Sequence, residues 1–490
     1  MNHAIQGLKP AHLWNYFSQL AAIPHRSKEE QKLAAWIIQT AREKGFVART
    51  DSVSNIVVEI PATPGYEKAP TVILQGHIDM VCEKNEDTVH DFATDPIELV
   101  REDDWITANG TTLGADNGIG VAAALAFMDE KNVVHGPLEL LCTIDEETGM
   151  TGAFNLQPDF LKGRYMLNLD SEEDGALYVG CAGGADIKCF FDVSLADAPA
   201  GATSVAMSVK GLRGGHSGLN IIENRANALR IMARILKTFI TEGVSFGIID
   251  IEGGSARNAI PREINARLAV LPAHLDKARA LAEQSFAAAR TEYGKRDTDM
   301  HMLFDPKGPA TDKVWSVQTI TNVVDAMLTL PTGVLTMSQD LPNLVESSCN
   351  LATINVRDGK VFLWLSARSS VQPVIAEIQE TAQIIGKRCG ATVELGDGYP
   401  AWQPDMDSPL LQNAVEVFER LYGAEPQIKA IHAGLECGII GEKFEGIKMI
   451  SMGPEIHGAH SPDERVLIPT VEKFWALLSG LLTDIAEKGK

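Results

Sequence analysis

The chain has 490 residues, 45% of them hydrophobic, with 43 Lys plus Arg against 65 Asp plus Glu and a formal charge of −22. That length exceeds one ordinary core and calls for roughly two to four compact units, and the apolar content excludes a largely disordered chain. The acidity argues against nucleic acid or an anionic membrane surface as a partner. In chain order, Ser27-Lys28-Glu29-Glu30 reads as a capping box, followed by Leu33, Trp36, Ile37 and Ile38 at helical spacing and by Gly45 as a stop. Short apolar runs at 55–59, 71–75, 138–143 and 165–169 suit buried strands of an α/β sheet, and 118–128 reads as a buried crossover helix.

Near residue 184 the texture changes. Residues 190–193 and 206–210 look like strands, and 225–239 is an amphipathic helix with Ala228, Ile231, Ile235 and Phe239 on one face. The order recurs in strand-like 352–356 and 361–367 and helical 373–389. From Leu410 the α/β texture returns, with a helix at 410–421, a strand at 446–451 and a helix at 470–486. The expected architecture is an α/β catalytic domain, 1–183 plus 401–490, interrupted by an α+β insert, 184–400, of two similar halves. The seven cysteines are scattered and form no CxxC pair, so a disulfide framework and a Cys-type zinc site are not expected. The N-terminus lacks a basic region followed by an apolar run, and no apolar stretch approaches the ~20 residues that span a bilayer, so a cytoplasmic protein without membrane contact is expected.

Four acidic or histidine clusters each follow an apolar run. They are Gly76-His77-Ile78-Asp79, Gly114-Ala115-Asp116-Asn117-Gly118, Asp145-Glu146-Glu147-Thr148-Gly149 and Asn168-Leu169-Asp170. In open α/β sheets the carboxyl ends of the strands form the binding crevice, so such clusters can meet in one cleft. Imidazole and carboxylate are the ligands of catalytic zinc, and a carboxylate with two oxygens can touch two metals at once. His77 and Asp79 lean the same way in an extended segment, which lets Asp79 hold the second imidazole nitrogen of His77. Glu146 and Glu147 point apart if their backbone is extended, one toward metal and the other toward substrate. Taken singly, a His-x-Asp is more often a surface pair, a Glu-Glu a solvated face and an Asp-Asn-Gly a turn. The ordered set is what carries the reading.

The order GHIDM, GADNGIG, IDEETG, NLD, GGHSG and a late AHSPDE resembles the M20 metallopeptidase family, over essentially the whole chain and in its bacterial dipeptidase branch. The resemblance implies a phosphorylase/hydrolase-like mixed-sheet catalytic domain interrupted by a large α+β lid or dimerisation-like domain. It implies two Zn2+ per chain, with Mn2+ or Co2+ as substitutes. His77 and Asp170 would hold one ion, Glu147 and His460 the other, and Asp116 would bridge them, with a cis peptide often following this Asp in the family. His457 is the rival of His460. Asp79 would orient His77, and Glu146 would be the general base for a water between the metals. From the insert, His216 of the GGHSG segment would steady the oxyanion together with zinc. Asn258 and Arg368 would bind the substrate's C-terminal carboxylate, and Gly434 would offer a backbone contact. Arginine suits a carboxylate because its planar fork donates two parallel hydrogen bonds.

The implied substrate is a small dipeptide with a free C-terminal carboxylate, Xaa-His dipeptides such as carnosine included. N-acyl amino acid deacylation and tripeptide cleavage are neighbouring readings on the same site, and a non-catalytic zinc-binding scaffold is the reading from another class. The insert is roughly twice the length common in the family. A homodimer is therefore allowed without the common geometry, and action of His216 in its own subunit or in a partner's stays open.

Overall fold

The computed structural model describes residues 3–310 and 312–489. The chain divides into two compact units, one of Met1–Gly180, Pro404–Ala430 and Leu435–Lys490, the other of Cys181–Gln403 and Ile431–Gly434. The stretch 431–434, expected with the C-terminal part of the catalytic domain, thus groups with the inserted unit.

The first unit is built on an eight-stranded mixed sheet. Its order is Val47–Thr50, Ile56–Ile60, Leu138–Thr143, Val72–His77, Tyr165–Asn168, Lys448–Ser451, Ala176–Cys181 and Gln427–Ile431. The strands from Leu138–Thr143 to Lys448–Ser451 run parallel, whereas Val47–Thr50 and Ile56–Ile60 are antiparallel additions at one edge. Val72–His77 and Leu138–Thr143 are buried along their whole length, which is why they read as unbroken apolar runs rather than alternating ones. Their register sets His77 beside Thr143 and Gln75 beside Asn168, so three neighbouring parallel strands end side by side. The helix Ala115–Ala126 buries nearly every residue, as expected of a crossover packed on the sheet, but its first turn is broken by non-helical Asp116 and Asn117. The peptide between Asp116 and Asn117 is cis.

Two local expectations are corrected here. Ser27 is not a helix cap: Lys28 has φ +71° and the helix begins only at Gln31. The Glu30 carboxylate accepts from the backbone N–H of Lys28 and of Asp145, a partner far along the chain. The second cluster, around Asp116, does not close a strand of the main sheet; Asp116 lies in the first turn of a helix.

The second unit is a nine-stranded sheet whose pairings are all antiparallel. The strands of the apparent duplication do not form two separate halves: Gly183–Asp192 pairs with Lys360–Ser369, whereas Thr203–Lys210 lies on the other side of the Gly253–Ile354 pairing in the same sheet. Helices Ala228–Thr241, Leu275–Tyr293, Val317–Thr329 and Gln372–Arg388 share one core with it, through Ile231, Phe239, Ala282, Val323 and Ala382. Strand Lys360–Ser369 turns Val361, Leu363, Leu365 and Ala367 into that core at a period of two. Each large side chain so buried contributes roughly 1.5–3 kcal/mol over leaving it in water.

Candidate metal centre and substrate-binding groups

In the first unit the ends of the three central parallel strands converge on Asp116. His77, the last residue of its strand, is buried and turns Nε2 to Asp116 Oδ1 at 3.2 Å and to Asp170 Oδ1 at 3.3 Å. The other oxygen, Asp116 Oδ2, lies 3.2 Å from His460 Nε2, which is also 3.0 Å from Glu147 Oε2. Asp116 therefore stands between two groups of donors, one oxygen to each. His457 lies elsewhere: its Nε2 meets Glu455 at 2.7 Å and its ring rests on Trp105.

Asp79 does more than the sequence suggests, and differently. His77 Nδ1 donates to the Asp79 main-chain oxygen at 3.0 Å, while the nearer carboxylate oxygen is 3.5 Å away. The carboxylate instead accepts from the backbone N–H of Glu146 and Glu147 at 3.0 and 3.2 Å and from Ser27 Oγ at 2.7 Å. It caps the short turn Glu146–Gly149, where exposed amide hydrogens favour an anion. That turn corrects the extended backbone expected for Glu146 and Glu147. Successive side chains on a helical turn diverge by about 100° rather than 180°, and both glutamates lie close to His77.

Among the described residues, three sets of donor atoms could each hold a metal ion: His77 with Asp116 and Asp170, Asp116 with Glu147 and His460, and His77 with Glu146 and Glu147. Tetrahedral zinc, with bonds of about 2.0–2.1 Å, would hold neighbouring donors about 3.3 Å apart, close to the 3.0–3.3 Å separations seen here. Glu147 Oε1 is buried without a hydrogen-bond partner among the described residues, and Asp170 Oδ1 meets only the His77 imidazole. Buried acceptors left this way are costly unless a cation satisfies them. The donor set therefore fits divalent metal ions.

The crowded carboxylates dominate the electrostatics of the site. Burial opposes charge on His77, yet Asp170, Asp116 and Asp79 outweigh it and hold the imidazole well above its usual range. His460 is raised to about 11 by its hydrogen bonds to Asp116 and Glu147. Burial pushes Asp170 up to about 6, against the pull of His77. Burial also drives Glu146 well above the usual carboxylate range, with Asp170, Glu436 and Glu147 adding repulsion against the pull of His77. Asp79 goes the other way: its contacts with His77, the Glu146 amide and Ser27 overcome burial and bring it to about 2.

The second unit holds the remaining predicted residues. Gly215 and His216 pair with Ile260 and Ala259, and the Asn258 main-chain oxygen accepts from Ser217 N–H at 2.8 Å. The His216 and Asn258 segments are thus stitched together, with Asn258 itself exposed. His216 Nδ1 accepts from the backbone N–H of Gly218 at 3.3 Å and of Leu219 at 3.1 Å. A nitrogen that accepts carries no proton, so the neutral ring bears its hydrogen on Nε2 and offers it as a donor. Burial and the charge of Arg368 lower the His216 pKa to about 4, which keeps that neutral form. Arg368 is only 7% exposed, donates from Nη1 to Tyr399 Oη at 2.5 Å, and has no partner for Nε among the described residues. Gly434 is half-buried, next to Ala433, whose oxygen accepts from Ala182 N–H.

Residues 73–484 match the model of peptidase family M20/M25/M40. The chain belongs to this family. It is a peptidase, a hydrolase of peptide bonds. It is 40% identical over 482 residues to the cytosol non-specific dipeptidase of Escherichia coli K12, covering 98% of this chain and 99% of that one. Its structure resembles that of the aminoacylhistidine dipeptidase from Vibrio alginolyticus, with a TM-score of 0.90 and 42% identity over 98% of this chain and 97% of that one. The aminopeptidase PepT from Bacillus cereus shares the fold at 16% identity, with a TM-score of 0.55 over 98% of this chain and 99% of that one.

This M20 peptidase also carries polar residues at the site to which the sequence assigned no role. Glu436 is fully buried, and its Oε2 accepts from Gln75 Nε2 and Thr143 Oγ1, both at 2.6 Å. Asn168 Nδ2 in turn donates to Gln75 Oε1 at 2.6 Å. Burial pushes Glu436 up to about 7. The network joins Gln75, Thr143 and Asn168 near the ends of the three parallel strands, with Gln75 and Asn168 each two residues before His77 and Asp170. The available signal was slight: polar residues at 75, 143 and 168 near the ends of apolar runs, and a glutamate between Leu435 and Cys437.

Proposed function

We propose that this M20 peptidase is a two-metal dipeptidase of the cytoplasm that hydrolyses dipeptides with a free C-terminal carboxylate, Xaa-His dipeptides such as carnosine included. The observation that carries the reading is the Asp116 carboxylate, which divides its two oxygens between His77 and His460. His77 and Asp170 would hold one Zn2+, Glu147 and His460 the other, and Asp116 both, with Mn2+ or Co2+ as substitutes. Such cations polarise a carbonyl as Lewis acids and bring the pKa of water from ~15.7 towards ~7.

The other roles fall to the chain's own groups. Glu146 takes the proton of the attacking water and hands it to the leaving amine, as general base and then general acid. Asp79 keeps His77 oriented and holds the turn that carries both glutamates. His216 donates from Nε2 to the tetrahedral oxyanion, a role its tautomer supports. Arg368 and Asn258 hold the substrate's carboxylate, and Gly434 offers a backbone contact. The inserted unit, 184–400 in the sequence reading, acts as lid or dimerisation domain.

The test is a panel of dipeptides, a tripeptide and an acetylated amino acid, each assayed with Zn2+, Mn2+ and Co2+ after chelator treatment, with metal content counted. Metal-dependent cleavage of Ala-His and carnosine, with two ions per chain, is expected. Turnover confined to the acetylated substrate or to the tripeptide would replace the dipeptidase reading. Turnover without metal would remove the two-metal one.

A further inference from the structure

Glu464 is 2% exposed, and its carboxylate accepts four backbone N–H groups in succession. Oε2 takes Leu113 at 2.7 Å and Gly114 at 3.0 Å; Oε1 takes Ala115 at 2.8 Å and Asp116 at 3.2 Å. The amides converge because Gly114 adopts φ +70°, which makes the segment a concave nest for an anion. The partners lie 348 to 351 positions apart in the chain. The main chain of Glu464 is held as well: its oxygen accepts from Thr107 Oγ1 at 2.9 Å and its N–H donates to Ser461 O at 3.1 Å. One carboxylate therefore ties the segment that ends in Asp116 to the segment that begins at His460.

We propose that Glu464 is the positioning residue of the Asp116 bridge. Its four charge-assisted bonds fix where the Asp116 oxygens stand relative to His460, and so set the metal affinity of the Asp116, Glu147 and His460 position. Apolar packing cannot supply this directional constraint, because it has no preferred angle. Glutamine has the size of glutamate but only one acceptor oxygen, and its NH2 would meet two of the four amides donor to donor. The inference rests on the two-metal reading above and adds a residue to it.

The experiment is a Co2+ titration of the full-length, chelator-treated protein, followed by visible absorbance, with circular dichroism as a check on folding. For Glu464→Gln, a rise of roughly 10- to 100-fold in the Kd of the weaker Co2+ equivalent is expected, with an altered d–d band, as for other groups that orient ligands. Leu482→Ala, a cavity in the core of the same unit, should lower Tm and leave Co2+ affinity unchanged. A folded Glu464→Gln protein with wild-type affinity and spectrum overturns the proposal, and so does an equal loss of affinity in Leu482→Ala. If Glu464→Gln does not fold, Glu464→Asp, which keeps the charge but shortens the reach, is held to the same criterion. Wild-type protein that binds no Co2+ overturns the two-metal reading and this inference with it, a failure visible before any variant is made.

Discussion

Glu146 is half-buried with Glu147, Asp170 and Glu436 near enough to repel it, and among the described residues no hydrogen bond ties its carboxylate down as a structural acceptor. A group so placed is free to carry a proton to and fro. Glu146→Ala should keep its metal by elemental analysis and lose roughly 10²- to 10⁴-fold in kcat; a wild-type kcat would remove Glu146 from the mechanism. Arg368→Met gives up charge-assisted hydrogen bonds worth about 1.5–3 kcal/mol each, so KM for dipeptides should rise roughly 10- to 100-fold. If KM stays put, another group reads the carboxylate. The types and order of the site residues were legible in the sequence because metal and proton chemistry needs imidazole and carboxylate. Their partners were less so. Ser27 lies near glutamates that suggest a cap, yet its hydroxyl goes to Asp79, 52 positions away, and no short-range pattern carries that information.

Helix and strand positions were legible because burial imposes a period on the sequence, and their ends were less so. The amphipathic helix expected from Arg225 begins at Ala228 because the Asn227 side chain accepts from the N–H of Leu229 and Arg230, at 3.0 and 3.3 Å. Arg225 is drawn instead to Glu223 and to the Gly214 oxygen. Asn227 also donates to Leu351 O at 2.9 Å, tying the helix start to the strand Val345–Arg357. Asn227→Ala should therefore cost about 1–2 kcal/mol of stability, read from the midpoint of urea unfolding at constant m. An unchanged midpoint would show that the cap contributes nothing. The turn Glu146–Gly149 was missed for a related reason: four residues are too few to show a period, and its shape is set by the distant Asp79 carboxylate.

At the scale of the molecule, stability should depend on pH through buried histidines. Burial, then the charges of Arg368 and His216, lower His432 to about 3, and its Nε2 shares a 2.7 Å hydrogen bond with Ser348 Oγ. The unfolded chain binds a proton at this ring below about pH 6.5, and the folded chain does so only near pH 3. Between those limits the unfolded state holds more protons, so this contribution to stability is full above pH 6.5 and drains away as pH falls. His432→Gln removes it, and the plot of Tm against pH from 7 to 4 should be flatter than for the wild type. Parallel plots would mean that His432 does not stay neutral in the fold. Among the described residues no helix is long and apolar enough to cross a membrane.

The sequence by itself determined the α/β class, most element positions and the identity of the candidate metal-binding residues, because each leaves a local mark: a period, a run or a reactive residue type. Only the tertiary structure decided that the three strands ending near His77, Glu146 and Asp170 are neighbours, that Asp116 turns one oxygen to each imidazole, and that Glu464 grips the Asp116 segment. Those facts rest on hydrogen bonds between residues tens to hundreds of positions apart. Such bonds depend on distance and angle in space, and nothing in the local order of residues records either.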